Sequence, residues 1–338
     1  MKQFFQQLIA DGYQVRPASF DDLPQAVAMF NAAEMERTGT GDWTIDYMHK
    51  SWAHPGYELT TSTRLVAAPD GSVVGFAELW DVIDPPATPW IWLRVHPQWH
   101  GAGIGCALLA WALDTSQRAL GRLPADARLA PKIAAPSTHR PSIELFENMG
   151  LTPCRYSWRM LIDLQEPVPE PHWPAGIQVR TLRYPEDLEA TYRAEEEAFE
   201  EHWGSVKRSF EDGFKHWKSL RFDEIGLKPE LWFLALEGDQ IAGLVYSLER
   251  ALTDARKGEI ETLGVRKKYR RRGLGQALLL HSFRALQQRG VPAAYLFVDA
   301  ANKTGATRLY QRVGMRVELE ITHYEIELRP GRELAVAD

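Results

Sequence analysis

The segment Val265–Gly275 constrains this chain more than any other part of its sequence, because it places a basic, glycine-containing turn between a strand and a helix. It reads VRKKYRRRGLG, follows a strand-like run, and precedes the helix-like QALLLHSF. Its two glycines allow the backbone to approach a ligand closely. The amides of the turn and of the first helical turn would direct several N–H groups toward one anion. The segment therefore predicts a phosphate-binding turn.

The same pattern occurs 170 residues earlier, where VHPQWHGAGIG over Val95–Gly105 aligns with it without a gap. Two more pairs of similar segments are 164 residues apart, namely Gly12–Arg16 with Gly176–Arg180 and Leu145–Leu151 with Leu309–Met315. Offsets that differ by a few residues indicate loop insertions between duplicated domains, because the repeats of a solenoid are much shorter.

Length and composition fit two ordinary globular domains. The chain has 338 residues, of which 45% are hydrophobic and 25% charged, and it exceeds the size at which one core usually stops growing. No apolar run approaches the roughly 20 residues of a membrane helix, and the N-terminus lacks the features of a secretory signal. Two cysteines and a net charge of -6 argue against a disulfide framework and a nucleic-acid partner. We therefore expect a cytoplasmic protein with neither a membrane nor a nucleic-acid partner.

A proline-rich segment over 165–176 predicts a linker between the copies, because each proline fixes its own φ and disfavours helix at the residue before it. We place the N-terminal domain at 1–164 and the C-terminal domain at 177–338. In the second copy, the pattern of apolar residues predicts a strand over 258–265 and a helix near 274–289. Strands mixed with helices in both copies indicate an α/β class.

These motifs resemble those of the GNAT superfamily of acyl-CoA N-acyltransferases. The turn matches the family's Arg/Gln-x-x-Gly-x-Gly/Ala motif with Arg270, Gly273 and Gly275, and a later family motif resembles Asn302 and Tyr310 with the Gly-aliphatic pair that follows. The resemblance covers both halves, and the tandem layout is similar to that of mycothiol synthases, in which one half is catalytic. It implies two tandem domains, each a mixed, mostly antiparallel sheet flanked by helices, and an acetyltransferase that needs no metal.

The resemblance further implies that acetyl-CoA is the acyl donor, held by strand backbone, by the basic turn and by the start of the helix. Asn302 has an equally compatible second use, which is to cap the helix that follows it. The implied contacts are Leu263, Gly264, Val265, Arg270, Arg271, Arg272, Gly273, Leu274, Gly275, Gln276 and Asn302.

Acetyl transfer to an amine requires a base and an acid. An amine with a pKa near ~10.4 is almost entirely protonated at neutral pH, so its attack on a thioester needs a base. Glu259 and Glu261 point to one face of the predicted strand by its period of two, and either fits. The resemblance to histone-acetylating members favours Glu259. The leaving thiolate needs a proton donor, and the resemblance assigns that role to the phenol of Tyr310.

The first copy lacks these groups. His100 replaces the motif arginine, Phe146 replaces the tyrosine, and the ungapped alignment places Pro89 and Ile91 at the two glutamate positions. We therefore expect this half to have lost acyl transfer and kept the fold. Its glycines survive, so it could still hold a second CoA at Leu93, Val95, Gly101, Gly103 and Gly105.

The acceptor is left open by the sequence. A protein lysine or N-terminus, an antibiotic, a polyamine and a thiol-sugar amine all fit the same chemistry. The acidic segment Glu195–Gly204 would suit a cationic acceptor, or it could be an ordinary solvated helix face. The whole protein could instead be a non-catalytic acyl-CoA sensor or binding module, and the oligomeric state is not predicted.

Overall fold

The computed structural model describes residues 2–206, 208–224, 226, 228–302 and 305–336. The chain forms two compact units. The first unit comprises Met1–Tyr156 with Glu320–Leu334, and the second comprises Ser157–Leu319 with Ala335–Asp338. The two units do not coincide with the two sequence copies. The first unit includes residues 320–334 of the second copy, and the second unit includes residues 157–164 of the first copy.

Both copies contain strands and helices in a similar order. The strands of the first copy are β1 (Gln14–Arg16), β2 (Thr63–Ala67), β3 (Val73–Trp80), β4 (Trp90–Val95), β5 (Lys132–Pro136) and β6 (Thr152–Asp163). Its helices are α1 (Lys2–Ala10), α2 (Leu23–Thr38), α3 (Ile45–Trp52), α4 (Leu59–Ser62), α5 (Ile104–Ser116) and α6 (Arg140–Asn148).

The second copy begins with a strand after the proline-rich segment. Its strands are β7 (Ile177–Thr181), β8 (Trp232–Glu237), β9 (Gln240–Leu248), β10 (Gly258–Val265), β11 (Ala293–Asp299) and β12 (Arg316–Glu325). Its helices are α7 (Leu188–Phe199), α8 (Phe210–Lys218), α9 (Leu274–Gln288) and α10 (Ala306–Arg312), and a π-helical segment (Ser219–Glu224) follows α8.

Each unit contains one mixed sheet. The strand order is β1-β2-β3-β4-β5-β12 in the first unit and β6-β11-β10-β9-β8-β7 in the second. One pair in each unit is parallel, namely β4–β5 in the first unit and β10–β11 in the second. The other neighbouring strands of each unit are antiparallel. The predicted α/β class with mixed, mostly antiparallel sheets is confirmed.

The two copies exchange their last strands. In the second unit, residues 157–163 of β6 pair with β11, and in the first unit, residues 321–325 of β12 pair with β5. The backbone groups of β5 and β11 thereby obtain hydrogen-bond partners from the other copy. The sheet of each unit is therefore completed by sequence from both halves.

The core of the second unit fixes the position of the basic turn. Leu278, Phe283 and Leu286 of α9 are fully buried and pack in one cluster with Ile260 of β10 and Leu296 of β11. Apolar residues three to four positions apart place such side chains on one stripe of a helix. Because α9 is seated on β10 in this way, the turn that joins them has a defined place.

An ion pair at the start of each copy repeats. Arg16 Nη2 lies 2.6 Å from Asp22 Oδ1, and Arg180 Nη1 lies 2.5 Å from Asp187 Oδ2. The hydrogen bond from Arg16 lowers the pKa of Asp22 to about 2. Equivalent pairs between a first strand and the loop before the first long helix are the structural counterpart of the sequence repeat.

The element predictions for the second copy hold closely. The strand predicted over 258–265 is confirmed at both ends, and the helix predicted near 274–289 ends at Gln288. The helix that follows Asn302, α10, spans Ala306–Arg312, and positions 303 and 304 lie outside the described residues. In the part of the chain that the structure describes, no helix has the length and apolarity to cross a bilayer.

Candidate active site

β10 and β11 are paired over a short distance and then part. Their parallel register joins Gly258 to Ala294 and Glu259 to Tyr295, and no later pair follows within the described residues. On its other side β10 stays paired with β9 as far as Val265. The edge of β10 beyond Glu259 therefore faces a gap, where its backbone can receive an extended ligand as it would receive another strand.

A β-bulge interrupts β10 at Glu261. After Ile260 the pairing with β9 resumes at Thr262, so Glu261 is the extra residue. Ile260 enters the core under α9, whereas Glu261 and Thr262 both contact the guanidinium of Arg221. The bulge thus brings two consecutive side chains to the face on which Glu259 also lies.

The bulge corrects the ungapped alignment of the copies. β4 pairs with β3 without irregularity, whereas β10 carries one extra residue relative to β9. The prediction that Pro89 and Ile91 replace the two glutamates is therefore wrong. Upstream of the bulge the alignment shifts by one residue, so Trp90 stands where Glu259 stands, and Glu261 has no counterpart.

Glu259 is a buried carboxyl group with a raised pKa. The residue is 8% exposed, and the Tyr295 hydroxyl donates a hydrogen bond to its Oε2 at 3.2 Å. Burial and the charge of Glu261 raise the pKa of Glu259 to about 8, against the opposing effects of Tyr295 and Arg159. Its other oxygen, Oε1, has no hydrogen-bond partner among the described residues. Such a group accepts a proton close to neutral pH.

Glu261 is held in an ion pair. Arg221 Nη1 donates to Glu261 Oε1 at 2.9 Å, and Arg221 Nη2 donates to Glu195 Oε1 at 3.1 Å. Glu195 also accepts from the Tyr246 hydroxyl at 2.8 Å and from Trp217 Nε1 at 2.9 Å. This buried network neutralises one of the two predicted bases and leaves the other with a free oxygen.

Tyr310 lies on the other face of the sheet from Glu259. It is 8% exposed and belongs to the apolar cluster under α9. Burial raises the pKa of Tyr310 to about 12, which keeps the phenol protonated at neutral pH. Its hydroxyl forms no hydrogen bond with a described residue. Because Tyr310 and Glu259 lie on opposite faces, the gap between β10 and β11 is where a reactant could meet both.

The turn before α9 presents consecutive unpaired N–H groups. The N–H groups of Arg270 and Ala277 are hydrogen-bonded, whereas those of residues 271–276 have no backbone acceptor among the described residues. Arg271 has a φ of 61° and Gly273, the N-cap of α9, a φ of 84°. Left-handed residues of this kind turn successive N–H groups toward one point, which is the geometry of an anion site.

The other predicted contacts lie in β10 after Glu259 and at the start of α9. Leu263 and Val265 are partly buried against the core under α9. A Cβ on Gly264 would lie 3.2 Å from Phe199 Cε2, and one on Gly275 would lie 3.2 Å from Leu309 Cδ2. Both glycines therefore permit close packing around the turn. Leu274 buries its side chain, and Gln276 lies half-buried in the first turn of α9.

Acidic residues at the end of α7 and just after it neutralise part of the basic turn. Glu197 accepts a hydrogen bond from Arg266 at 2.7 Å. Glu201 accepts from Lys267 at 2.6 Å and from Arg270 at 3.2 Å. These two carboxylates form ion pairs with the basic turn and so help to hold it in place.

The three consecutive arginines of the turn have different surroundings. Arg270 donates to two backbone carbonyls at 3.1 and 3.0 Å in addition to its ion pair, so its side chain ties the turn to α7 and β10. Arg272 pairs with Glu237 at 3.1 Å on the surface. Arg271 is exposed and has no ion pair or hydrogen bond among the described residues. Of the three, Arg271 is the cation that is free to contact an anionic ligand.

Asn302 lies in a turn after β11, where its N–H donates to Asp299 O at 3.1 Å. The N-cap of α10 is Gly305, so Asn302 does not occupy the capping position that the sequence allowed for it. Within the described residues, no group of three or more His, Cys, Asp or Glu side chains is placed to hold a metal ion.

The corresponding turn in the first unit opens into a cavity of about 460 Å³. Arg37 reaches into it from α2 and donates to Ser142 Oγ at 3.2 Å and to Ala134 O at 3.4 Å. Phe146, at the position of the tyrosine, is fully buried. The residues predicted for a second CoA all line the cavity, namely Leu93, Val95, Gly101, Gly103 and Gly105.

Two family models match this chain. Residues 188–315 match the acetyltransferase (GNAT) family, and residues 60–151 match an acetyltransferase (GNAT) domain. The two matches fall in the two copies. A tandem GNAT protein of the clavulanic acid biosynthesis pathway shares the fold, with a TM-score of 0.71 at 15% identity over 95% of this chain and 100% of that one.

Several relatives are similar over most of their length. The mycothiol acetyltransferase of Thermobispora bispora is 33% identical over 76% of this chain and 82% of its own. The mycothiol acetyltransferase of Streptomyces bingchenggensis is 35% identical over 78% and 79%. The crystal structure of a GCN5-related N-acetyltransferase from Sphaerobacter thermophilus has a TM-score of 0.79 at 33% identity over 96% of this chain and 98% of that one. This chain, with both of its copies, therefore belongs to the GNAT family of acetyltransferases.

Proposed function

We propose that the second unit transfers the acetyl group of acetyl-CoA to a primary amine by direct attack, and that the first unit does not catalyse the reaction. The parting of β10 and β11 directly after Glu259 carries this proposal. In this proposal the gap has the Glu259 carboxyl group, with its raised pKa, on one face of the sheet and the protonated phenol of Tyr310 on the other.

In this proposal each catalytic side chain moves one proton. Bound acetyl-CoA supplies a thioester carbonyl that an amine can attack. Oε1 of Glu259 accepts a proton from the ammonium group, directly or through water, and the neutral amine then attacks the thioester carbon. The Tyr310 hydroxyl donates its proton to the sulfur as the C–S bond breaks, and the second proton that the nitrogen loses on becoming an amide restores the phenol, directly or through solvent. Each group is expected to contribute about 10²–10⁴-fold.

The basic turn would hold the diphosphate of the donor. Its N–H groups lack backbone acceptors among the described residues, and the exposed side chain of Arg271 adds a positive charge to the same turn, so charge-assisted hydrogen bonds favour an anion there. The free edge of β10 between Glu259 and Val265 would hold the pantetheine chain. Arg270 would act by fixing the turn, because its guanidinium is already occupied.

For the acceptor we infer a small-molecule amine of the thiol-sugar class. The relatives above carry the name mycothiol acetyltransferase. On the face of Glu259, the sheet also offers Phe297, which is 47% exposed and 5.6 Å from the Tyr295 ring, and the ion pair of Glu261 with Arg221. An exposed aromatic ring and paired charges on one face suit a polar ring more than a long apolar chain.

For the first unit we propose a structural CoA site in its cavity. The cavity contains the glycines of the first turn and the predicted strand residues. Trp90 and Phe146 stand where a base and an acid would be required, so binding there would lead to no transfer.

Calorimetric titration with acetyl-CoA, followed by a CoA-release screen over amines, tests the proposal. We expect binding, and release with a thiol-sugar amine but not with lysine peptides, aminoglycosides or spermidine. Binding without release for every amine class, together with unchanged binding behaviour of Tyr310→Phe, would instead identify an acyl-CoA sensor. Failure of the wild type to bind acetyl-CoA would refute the proposal.

A further inference from the structure

Tyr295 contacts Glu259 at the point where the two strands part. The two residues form the last register pair of β10 and β11, and Tyr295 is fully buried. Its hydroxyl lies 3.2 Å from Glu259 Oε2 and 3.3 Å from Thr253 Oγ1. This tyrosine carries no motif in the sequence, and only the strand register reveals it.

The direction of the hydrogen bonds follows from the chemistry of the groups. A phenol has one proton to donate. When Glu259 is ionised it can only accept, so the Tyr295 proton points to Oε2, and the Thr253 hydroxyl donates to the tyrosine oxygen. Oε1 remains without a partner among the described residues. The arrangement fixes one carboxylate oxygen and leaves the other for the reaction.

Other charged groups act on Glu259 from neighbouring elements. Glu261 lies on the same strand and is paired with Arg221 from the π-helical segment. Arg159 of β6 lies 5.3 Å from the centre of the Tyr295 ring and is paired with Glu318 at 2.7 Å. Burial and Glu261 disfavour the ionised form of Glu259, whereas Tyr295 and Arg159 favour it.

We propose that Tyr295 is a positioning residue for the base, which orients the Glu259 carboxylate toward the gap and stabilises its ionised form. This inference rests on the proposed role of Glu259. Tyr295 takes no part in proton transfer to the substrate. It acts through the hydrogen bond that it donates across the end of the β10–β11 ladder.

The test compares the pH dependence of kcat/KM in the wild type and in Tyr295→Phe, with the acceptor found in the release screen. The variant keeps the ring under Arg159 and removes the hydroxyl. Because a hydrogen bond to a charged group stabilises it, we expect the acidic limb to move up by about one pH unit, which is about tenfold in kcat/KM below the limb. The KM for acetyl-CoA should not change. The acceptor amine titrates identically in both proteins, so the difference reports Glu259.

The first unit offers a matched control. There the Tyr57 hydroxyl donates to Glu78 Oε2 at 3.1 Å, and both residues are buried. Tyr57→Phe removes the same kind of hydrogen bond away from the gap, and it should leave the limb in place. Thr253→Val retains Tyr295 and removes the partner behind it, and we expect a smaller shift in the same direction. Thermal denaturation of each variant separates loss of folded protein from a shifted limb.

Two results would overturn the inference, and they differ. If Glu259→Gln abolishes the limb while Tyr295→Phe leaves it unshifted, Tyr295 is only a packing residue and the proposed base stands. If Glu259→Gln keeps the limb of the wild type, the base assignment itself fails and the inference fails with it. Carboxyl ¹³C NMR of Glu259 gives its pKa without turnover, and an unchanged pKa in Tyr295→Phe would also reject the role.

Discussion

Trp90 in β4 occupies the position that Glu259 occupies in β10. Each is paired with the last residue of the preceding strand, and each comes directly before an isoleucine that enters the core. At this position the second unit thus has a buried carboxyl group with an oxygen that is unpartnered among the described residues, and the first unit has an indole. The second unit therefore carries a possible base here and the first unit does not.

Tyr310→Phe should reduce kcat by about 10²–10⁴-fold and leave acetyl-CoA affinity unchanged. The phenol is the predicted proton donor, and the ring that packs in the core is retained. CoA release measured together with calorimetric binding checks both parts. As a control, Phe146→Tyr in the first unit should add no turnover, and a full rate in Tyr310→Phe would exclude the acid role.

Arg271→Ala should weaken acetyl-CoA binding by about 10–100-fold, because a charge-assisted contact contributes roughly 1.5–3 kcal/mol. The loss should shrink at high ionic strength. Arg272→Ala is the matched control, since it removes the same charge one residue later but breaks an exposed pair with Glu237. Equal losses in both variants would show that only the net charge of the turn matters.

Activity should rise with pH through about 8. Glu259 must lose its proton to act as a base, and its pKa is raised to about 8, so the active fraction increases as pH increases from 7 to 9. We expect kcat/KM profiles of the wild type to show this acidic limb and those of Glu259→Gln to lose it along with most of the activity. Glu261→Gln should move the limb to lower pH, because it removes the neighbouring charge that disfavours ionisation.

Glu259 should also make stability depend on pH. A carboxyl group whose pKa is raised in the folded protein contributes stability that is present at acid pH and is lost as pH rises through the folded value, here about 8. Between pH 5 and 8 the free energy of unfolding of the wild type should therefore fall relative to that of Glu259→Gln, by at most about 1.4 kcal/mol per pH unit. Urea denaturation at several pH values measures this. Glu261→Gln should destabilise instead, since it leaves Arg221 without one of its carboxylates.

The turn and its flanking elements could be predicted because local sequence determines them. The strand over 258–265 has turn residues on both sides, and the helix from Leu274 has its apolar stripe and Gly273 before it. The duplication could be recognised from the sequence for the same reason. Two glycines at fixed spacing mark the turn in each copy, whatever surrounds them.

Features that depend on pairing could not be predicted. Nothing in the local pattern of β10 marks Glu261 as a bulged residue, and the ungapped alignment therefore matched the wrong residues of the first copy. The role of Glu201 in holding Lys267 and Arg270 also depends on contacts across about 65 to 70 residues. Such contacts become visible only when the strand register is known.

Because the two copies exchange their last strands, the sheet of each unit depends on the presence of the other copy. A chain that lost its last 20 residues would retain every predicted catalytic group, yet the first unit would lose a strand of its sheet. A chain reduced to its second copy would likewise lack the strand that covers β11. Deleting either copy would therefore leave the sheet of the remaining unit without its exchanged strand, so the half for which we propose no chemistry is a structural requirement of the half for which we propose it.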